Sequence, residues 1–367
     1  MKPRVLISTV GTSLLTNETC PELRNILIQT ANWRESEYDA DRKQRVDRRI
    51  EEVKARLQNA SHSDIRKLSA ELNGILGLNA IGPQCSHFLL ATDTFQGEAT
   101  AEMIAEWLRN QGCQHATPVK LEKLNTGNEE DFRRGIDDLL KWCDEQLQPL
   151  RAGDRIIFNL VGGFKSLQAY AHTLGMIYAD EIVYLFEGAG SPLLRIPRLP
   201  IHFDEAPLKK NAPMFARMDK PKDSVPAEEV KGLPEAYFEI SGDDAALSLW
   251  GELAWSQVKR EILTGALLCH SRLVYESSFQ HNYESINNND LRIAIQEALA
   301  KAAVLWARNG LQSLRADGGL QYEDYSGKNK GIGHFRVNDG PRISCKPDGS
   351  NLRLRHCGAH DVVNNNP

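Results

Sequence analysis

Five short apolar runs lie in the first two hundred residues, and segments with helical spacing separate most of them. The runs are Val5 to Val10, His87 to Ala91, Pro118 to Leu124, Arg155 to Phe158 and Glu181 to Phe186. Between them, apolar residues recur every three or four positions, as from Glu98 to Asn110, which indicates helices. Strands that alternate with helices form βαβ units. The pattern therefore predicts an α/β fold with a parallel sheet and helices on both faces.

A strongly charged segment from Glu35 to Gly77 interrupts this alternation. It carries two apolar stripes at helical spacing. The first stripe is Val46, Ile50, Val53 and Leu57, and the second is Ile65, Leu68, Leu72 and Ile75. We expect a helical hairpin inserted after the first strand, with a role in packing or dimerisation rather than in chemistry.

Polar loops follow the first, second and fourth predicted strands, at the edge where parallel strands end and where such sheets bind ligands. The candidate contacts are Gly11, Thr12, Ser13 and Asn17, then Thr92, Asp93, Thr94 and Gln96, then Gly162, Gly163, Phe164 and Lys165. The glycine pair leaves the N–H groups of a first helical turn open to an anion, and Lys165 opposes the helix dipole unless an anion is present. Each loop alone also fits an ordinary turn or helix cap. Three loops at one edge indicate a site for phosphate or ribose.

Five prolines between Asp204 and Glu235 mark a boundary, which we expect to be partly extended and poor in core residues. The segment from Asp243 to Thr264 then has the spacing of a helix. We interpret residues 205–268 as a linker followed by a helical spacer or docking helix.

The last hundred residues have a different pattern, that of a small α+β domain. An amphipathic helix from Leu291 to Asn309 precedes three short strands. These are His334 to Val337, Arg342 to Cys345 and Leu352 to His356. The Asp-Gly pairs between them are typical of hairpins. Because side chains alternate along a strand, we expect an antiparallel sheet with one face under the helix and one cationic face.

Basic residues are concentrated from position 328 onward, with seven lysines and arginines against three aspartates in a chain whose net charge is −5. They are Lys328, Lys330, Arg336, Arg342, Lys346, Arg353 and Arg355. Three histidines, at 334, 356 and 360, lie among them. A solvated strand face explains most basic sheets, but the added histidines favour an RNA-binding surface here.

Overall composition restricts the remaining classes. The chain has 367 residues with 44 basic and 49 acidic side chains, so a uniformly basic nucleic-acid coat is excluded. Its seven cysteines contain no C-x-x-C pair, which indicates a reducing, cytoplasmic setting without structural zinc. The sequence contains no signal peptide or apolar stretch of about 20 residues, so we expect no membrane anchor. Neither G-x-G-x-x-G after the first strand nor a P-loop occurs, which disfavours a dinucleotide cofactor.

The first 200 residues resemble the CARF domains, the Rossmann-like sensor modules of type III CRISPR effectors. The resemblance rests on Gly11-Thr12-Ser13 after the first strand and on Gly162-Gly163-Phe164-Lys165 at the start of a late helix. It implies a homodimer that holds a cyclic oligoadenylate, for which we expect cyclic tetra-adenylate, across its two-fold axis. Thr12, Ser13, Thr94, Gln96 and Lys165 would then contact phosphate and ribose.

The last 95 or so residues resemble the RelE-like mRNA interferase toxins, which cut messenger RNA on the ribosome. The resemblance rests on the strand order, on the turn Gly340-Pro341-Arg342 and on the terminal Gly-x-His-Asp. It places Arg342 on the family's phosphate-binding arginine and His360 on its basic residue at the end of the last strand. His334 and Arg336 fall where the family often has two lysines. Asn364 departs from the pattern, since many members carry a tyrosine there.

Cleavage of RNA by attack of a 2′-OH needs a base, an acid and cations that stabilise the charged transition state. We assign Arg336 and Arg342 to phosphate stabilisation, and His334 and His360 to proton transfer, leaving open which histidine is the acid. Lys328, Lys330, Arg353 and Arg355 are the expected RNA contacts. No cluster of carboxylates accompanies them, so we expect neither a metal nor another cofactor.

The prediction is a cyclic-oligoadenylate-activated endoribonuclease with a sensor domain at 1–204 and a RelE-like domain at 269–367. Two alternatives stay open. Arg355 and His360 have the R-x-x-x-x-H spacing of HEPN ribonucleases, although that motif belongs on a helix and Gly358 is a poor helix former. In the second alternative, the protein is a ligand-sensing regulator that binds nucleic acid without cutting it.

Overall fold

A computed structural model describes residues 2–125, 127–185, 192–200, 202–220, 222–338 and 340–367. The chain forms two compact units, an N-terminal unit of Met1–His202 and a C-terminal unit of Phe203–Pro367. The N-terminal unit has one sheet, and the C-terminal unit has two sheets and two buried apolar clusters.

The N-terminal unit is built on a six-stranded sheet with the order β3-β2-β1-β4-β5-β6. Its strands are β1 (Arg4–Thr9), β2 (Cys85–Ala91), β3 (His115–Lys120), β4 (Arg155–Asn159), β5 (Glu181–Leu185) and β6 (Leu193–Pro197). Its helices are α1 (Ser13–Thr16), α2 (Pro21–Gln29), α3 (Ala40–Asn59), α4 (His62–Leu68), α5 (Ala70–Gly77), α6 (Phe95–Asn110), α7 (Glu129–Trp142) and α8 (Lys165–Tyr178). A 3₁₀ turn at Glu35–Glu37 precedes α3, and α7 continues into a π turn at Cys143–Leu147.

Strands β1 to β5 are parallel, and the antiparallel β6 closes one edge. The five expected strands are present, with Phe186 outside the described residues, and β6 is an addition. The third strand begins and ends earlier than expected, at His115 and Lys120. The apolar Leu121 and Leu124 are buried in the turn that follows it and are not part of the strand. Strand order reverses between β1 and β4, so the carboxyl ends of these two strands form the switch point of the sheet.

The charged insert contains three helices rather than a hairpin. Ser61 and Ser69 interrupt the expected pair, and each accepts a backbone N–H at the start of the next helix. The extended backbone of Ser69 turns the chain between α4 and α5. Helix α5 consequently packs against β4 and β5.

The C-terminal unit begins with α9 (Glu205–Lys210) and α10 (Ala212–Asp219), followed by a three-stranded sheet and a long helix. The sheet strands are β7 (Val225–Pro226), β8 (Phe238–Ser241) and β9 (Asp244–Leu247), and the helix is α11 (Leu249–Thr264). The expectation of a core-poor segment was wrong over this stretch. Leu208, Phe215 and Trp255 are fully buried together, with the Phe215 and Trp255 rings stacked 5.7 Å apart.

The rest of the C-terminal unit is a five-stranded sheet with the order β10-β14-β13-β12-β11. Its elements are β10 (Leu273–Tyr275), α12 (Ser277–Glu284), α13 (Asn289–Ala316), β11 (Glu323–Asp324), β12 (Gly333–Arg336), β13 (Arg342–Asp348), β14 (Asn351–Gly358) and α14 (His360–Asn365). Helix α13 is longer than expected and breaks at Asn309 and Gly310, where Gly310 has φ 54°. Phe335 and Ile343 are buried with α13 residues in one cluster, so the predicted inner face is confirmed.

Candidate functional site

The outer face of the C-terminal sheet brings the predicted residues into two neighbouring rows. In one row, Glu323 of β11, His334 of β12 and Ser344 of β13 are successive cross-strand partners, and His356 of β14 completes it. In the next row, Arg336 pairs with Arg342. Opposed residues on one face of antiparallel strands lie about 5 Å apart, so this register concentrates cations and histidines.

A β-bulge sets the alignment of β14. Ser344 pairs with His356 while the adjacent Cys345 pairs with Leu354, so Arg355 is the extra residue. The bulge lets Leu354 and Cys357 both face the core while His356 faces outward. Alternation alone does not predict this shift.

His334 lies at the centre of the face and is only 8% exposed. Its Nδ1 is buried without a hydrogen-bond partner among the described residues, and its Nε2 lies 3.7 Å from Glu323 Oε2. Burial lowers the pKa of His334, Glu323 opposes that effect, and the charges of Arg342, His360 and Arg336 lower the pKa further. His334 therefore lies close enough to Arg342, His360 and Arg336 for their charges to affect its pKa.

Arg342 is almost buried, with 6% of its surface exposed. Its Nη1 donates to the carbonyls of Gly340 and Pro341, at 3.0 and 3.3 Å, which fixes the guanidinium beside the turn. Its Nε is buried and has no partner in the described chain. Burial and the neighbouring Arg336 lower the pKa of Arg342, and an arginine keeps its charge despite such shifts. A buried donor without an acceptor is costly, and a bound phosphate would satisfy it.

His360 is the first residue of α14 rather than the end of a strand, and it belongs to a hydrogen-bond chain. Its Nδ1 lies 2.8 Å from Asp361 Oδ1, and its Nε2 lies 2.8 Å from Asn364 Nδ2. Asn364 Oδ1 accepts a hydrogen bond of 2.6 Å from the Tyr325 hydroxyl. The Tyr325 ring packs on His334, with ring centroids 4.7 Å apart. Two hydrogen bonds and one ring contact thus connect His360 to His334, the two candidate proton carriers.

Tyr325 is the residue that sequence reasoning missed. It lies between β11 and β12, outside the alternating strands, and its backbone N–H donates to Ile332 O across the connecting loop. Burial raises the pKa of the Tyr325 phenol, while the Arg342 charge lowers it. No local motif marks this position, because its partners are nine and 39 residues away.

The four residues predicted to contact RNA differ in how fully they are paired. Lys328 and Lys330 are exposed and have no ion pair in the parts of the chain that the structure describes. Arg353 donates to Asp348 Oδ2 at 2.5 Å. Arg355 donates to the Pro367 carbonyl at 2.5 Å and lies 3.7 Å from Glu276. Because Arg355 is in a strand, the helical placement that the HEPN alternative requires is absent.

The first loop of the N-terminal unit is occupied by a carboxylate from its own chain. Glu71 of α5 is fully buried and accepts hydrogen bonds from the Gly11 N–H at 2.8 Å and the Ser13 hydroxyl at 2.9 Å. The Ser69 hydroxyl donates to the same carboxylate at 2.7 Å. A side chain at Gly162 would collide with Glu71, so the first and third loops meet around it. The Asn17 amide donates to carbonyls of α4.

The second loop is also committed to internal contacts. Thr94 caps α6 by accepting from the Gly97 N–H, and its hydroxyl lies 3.0 Å from that of Thr92. Gln96 is fully buried, and its NH₂ group lies within hydrogen-bond distance of Leu27 O and of the Thr30 and Tyr38 hydroxyls, while its Oε1 has no partner in the described residues. Asp93 pairs with Arg34 at 2.7 Å. These side chains hold the loop against α2 and the 3₁₀ turn.

The third loop, from Gly162 to Lys165, carries one exposed cation, Lys165. Gly163 has φ 103°, and its Cα lies 3.1 Å from where a side chain on Gly11 would begin, so the two loops touch through backbone. Phe164 is the residue before α8, and no side-chain group caps that helix. Lys165 is exposed and has no ion pair among the described residues. Thr12, in the first loop, is half-exposed, and an anion site at these loops stays a prediction.

The described residues also give findings on metal-binding groups, disulfides and membrane-spanning helices. In the described ranges, no group of three or more His, Cys, Asp or Glu side chains is placed to bind a metal ion. All seven cysteines are free. None of the described helices combines the length and apolar character needed to cross a bilayer.

Comparison with protein families gives a match over part of the chain. Residues 66–199 match the family model Cas_APE2256, which is described as a CRISPR-associated protein. This segment lies within the N-terminal unit and covers a little over a third of the chain.

Several solved toxin structures resemble about a quarter of the chain. A copper-bound mutant toxin from Helicobacter pylori is 18% identical, with 25% of this chain and 97% of that chain covered and a TM-score of 0.21. The YoeB–YefM complex from Staphylococcus aureus is 19% identical, with coverages of 26% and 99% and a TM-score of 0.20. YafQ from E. coli strain BL21(DE3) is 14% identical, with coverages of 25% and 94% and a TM-score of 0.19.

Proposed function

We propose that the protein is an endoribonuclease that a cyclic oligoadenylate activates and that cuts messenger RNA without a metal cofactor. The observation that carries the proposal is the outer face of the C-terminal sheet. The charges of Arg342, His360 and Arg336 lower the pKa of His334 there, and His334 and Arg342 each have a buried nitrogen without a partner in the described part of the chain. Such a face is suited to a phosphate that supplies the missing acceptors.

In the proposed reaction, Arg336 and Arg342 bind the scissile phosphate. One histidine accepts the proton of the 2′-OH as the O2′–P bond forms, and the other protonates the 5′-oxygen as the P–O5′ bond breaks. The products are a 2′,3′-cyclic phosphate and a 5′-hydroxyl end. The arginines remain charged throughout, so they stabilise the additional negative charge of the transition state.

The N-terminal unit is proposed to be the sensor. Its resemblance to CARF domains and the match of residues 66–199 to a CRISPR-associated family support this role. Thr12, Gly163, Phe164 and Lys165 form the open part of the site at the switch point of the sheet, and cyclic tetra-adenylate is the proposed ligand. A homodimer would present two such loops to one ring. Activation is then a population shift, limited by the difference in ligand affinity between the inactive and active states.

The experiment uses the full chain with translating ribosomes and radiolabelled mRNA, with and without cyclic tetra-adenylate and with EDTA throughout. We expect ligand-dependent cleavage that leaves a 5′-hydroxyl end. His360→Ala should reduce cleavage at least about 100-fold, because one proton transfer is lost, and should bind the ligand normally. Binding of RNA without cleavage by the wild-type chain would contradict the enzyme and identify a regulator.

A parallel incubation with the same RNA free of ribosomes tests the substrate. We expect cleavage to require the ribosome. Equal cleavage of free RNA would contradict the ribosome-bound substrate while retaining the endoribonuclease. Loss of activity on adding EDTA would contradict the metal-independent reaction.

A further inference from the structure

The tautomer of His360 follows from its hydrogen-bond partners. The Asp361 carboxylate only accepts hydrogen bonds, so the nitrogen that faces it, Nδ1, must carry a proton. In neutral imidazole the other nitrogen then has the lone pair. Asn364 must therefore present its NH₂ group to Nε2, and its Oδ1 is left to accept from the Tyr325 hydroxyl. Each donor therefore faces an acceptor in the series of hydrogen bonds from Asp361 through His360 and Asn364 to Tyr325.

We infer that Tyr325 and Asn364 are positioning residues that keep His360 in the Nδ1–H form, with its Nε2 lone pair ready to accept the proton of the attacking 2′-OH. This inference rests on the proposed endoribonuclease function and assigns the two proton roles within it. His360 is the base, and His334 is the acid.

The phenolic hydroxyl supplies the bias. If the Asn364 amide rotated by half a turn, its oxygen would face Nε2 and would stabilise a proton there, which removes the base. The rotated amide would place its NH₂ group at the 2.6 Å position beside the phenol oxygen, which is usual for an O–H···O hydrogen bond but too short for an ordinary N–H···O one. The same ring packs on His334, so one side chain sets the geometry of both histidines.

Substrate binding completes the arrangement. The 2′-OH of the RNA replaces the Asn364 NH₂ as the donor to Nε2, so the lone pair changes partner without any change of tautomer. A phosphate at Arg336 and Arg342 also favours the protonated form of His334 beside them. As the O2′–P bond forms, the 2′ proton passes to His360, and as the P–O5′ bond breaks, O5′ takes a proton from His334. The proton balance therefore closes within the cluster.

The first measurement does not use activity. In the full chain labelled with ¹⁵N-histidine, the imidazole nitrogens of His360 are identified by comparison with His360→Gln, and their shifts are read at pH 8. We expect protonated Nδ1 and unprotonated Nε2 in the wild type, and a mixture of tautomers in Tyr325→Phe. A wild-type His360 with protonated Nε2 overturns the inference, whatever the chain does to RNA.

The second measurement uses the ribosome cleavage assay across pH. Tyr325→Phe keeps the ring but loses the hydroxyl, so we expect kcat to fall about five- to tenfold, as for loss of one hydrogen bond, with KM unchanged. The acid limb of the pH profile should move to higher pH, because the freed Asn364 oxygen can now favour protonated Nε2. Asn364→Asp should move it further, since a carboxylate cannot donate.

Tyr322→Phe is the matched control, because the Tyr322 hydroxyl donates to Asp324 and not to His360, Asn364 or Tyr325. It should leave the tautomer and the pH profile unchanged. A fall in Tyr325→Phe activity with an unmoved acid limb overturns the positioning role. Absence of wild-type cleavage together with the expected tautomer contradicts the proposed function alone, so the two failures are distinguishable.

Discussion

The two candidate sites differ in how far their polar groups are already paired. At the rim of the N-terminal sheet, the buried Glu71 carboxylate accepts three hydrogen bonds, while the buried Gln96 has a paired NH₂ group and an Oε1 without a partner in the described residues. On the outer face of the C-terminal sheet, His334 Nδ1 and Arg342 Nε are buried without partners in the described chain. The buried carboxylate of the first site is thus fully paired, whereas the buried arginine of the second keeps a donor without a partner in the described residues.

The difference separates residues that shape a site from residues that meet a ligand. Paired buried groups contribute to stability, and their loss leaves a partner unsatisfied. Buried groups without a partner destabilise the free protein, and a ligand that pairs with them removes that cost. We therefore expect substitutions at Glu71 and Thr94 to change stability, and substitutions at Arg342 and Lys165 to change binding or cleavage.

The largest expected effect is on cleavage, from the pair Arg342→Ala and Arg353→Ala. Both arginines lie in the C-terminal sheet, but Arg353 is already paired with Asp348 and is 40% exposed at its side chain. Loss of Arg342 should lower kcat/KM by about 100- to 1,000-fold, as for loss of a transition-state donor. Loss of Arg353 should cost less than about tenfold.

Rates at saturating ligand, with circular dichroism to confirm folding, check this comparison. Arg342→Lys provides a second variant that keeps charge but loses the planar fork, and we expect partial activity. Equal losses in the Arg342 and Arg353 variants would show that paired and unpaired cations contribute alike, which contradicts the comparison.

The second effect concerns stability at acid pH and tests how much buried, neutral histidines contribute to it. Burial lowers the pKa of His87, which bonds to Ala80 O, and of His270, whose ring nitrogens have no partner in the described residues, to about 4 in each case. The unfolded chain, with a histidine pKa near 6.5, then binds more protons than the folded chain. Stability is complete above pH 6.5 and is lost as the pH falls toward 4, by up to about 3 kcal/mol per histidine.

His270→Leu should remove the His270 share of that loss from the C-terminal unit, where the pKa values of His334 and His356 are also lowered by burial, and should leave the N-terminal loss unchanged. At pH 7 we expect a change within about 1 kcal/mol, because an apolar side chain leaves no buried group unsatisfied. Hydrogen exchange at pH 7 and pH 4.5, corrected for the intrinsic rates, reports the two units separately. Undiminished acid loss in the C-terminal unit of this variant would assign it to other groups.

The comparison also explains what the sequence predicted and what it missed. His334, Arg336 and Arg342 share a face because local alternation and a short hairpin fix it, and both features are readable from adjacent residues. Tyr325 and Asn364 meet only after the sheet and α14 have formed, so no local pattern indicates their bond. Long-range pairing is where the sequence was silent.

Glu71 illustrates the same limit in the N-terminal unit. Its stripe neighbours Leu68 and Leu72 predicted the helices, but nothing in the local pattern indicated a buried carboxylate at that position. The break at Ser69 turns α5 so that Glu71 reaches Gly11, 60 residues away along the chain. The glycine motif was correctly predicted at the edge where the parallel strands end, while its internal partner depends on tertiary packing.

The third effect is the stability change in Glu71→Ala. Removal of the carboxylate leaves the Gly11 N–H and the hydroxyls of Ser13 and Ser69 without their acceptor, so we expect a loss of about 3 kcal/mol in the N-terminal unit. Glu71→Gln should lose less, because one oxygen remains. Urea unfolding measures the change.

Ligand affinity in the same variant tests where the anion binds. Because Glu71 is held by three hydrogen bonds, we expect a phosphate to bind beside it, at Lys165, rather than to displace it. The affinity of Glu71→Ala for cyclic tetra-adenylate should therefore change by less than about tenfold. A gain of about 100-fold would mean that the carboxylate occupies the ligand's own place.

The smallest effect comes from a pair within the sensor loops, Lys165→Ala and Thr94→Ala. Lys165 is exposed and unpaired in the described chain, so its loss should weaken cyclic tetra-adenylate binding about tenfold and leave stability unchanged. Thr94 caps α6 through the Gly97 N–H, so its loss should cost about 1 kcal/mol of stability and leave affinity unchanged. Calorimetric titration and urea unfolding of both variants give the four values. If Thr94→Ala loses affinity while Lys165→Ala keeps it, then the ligand contacts the paired loop and the comparison between the two sites fails.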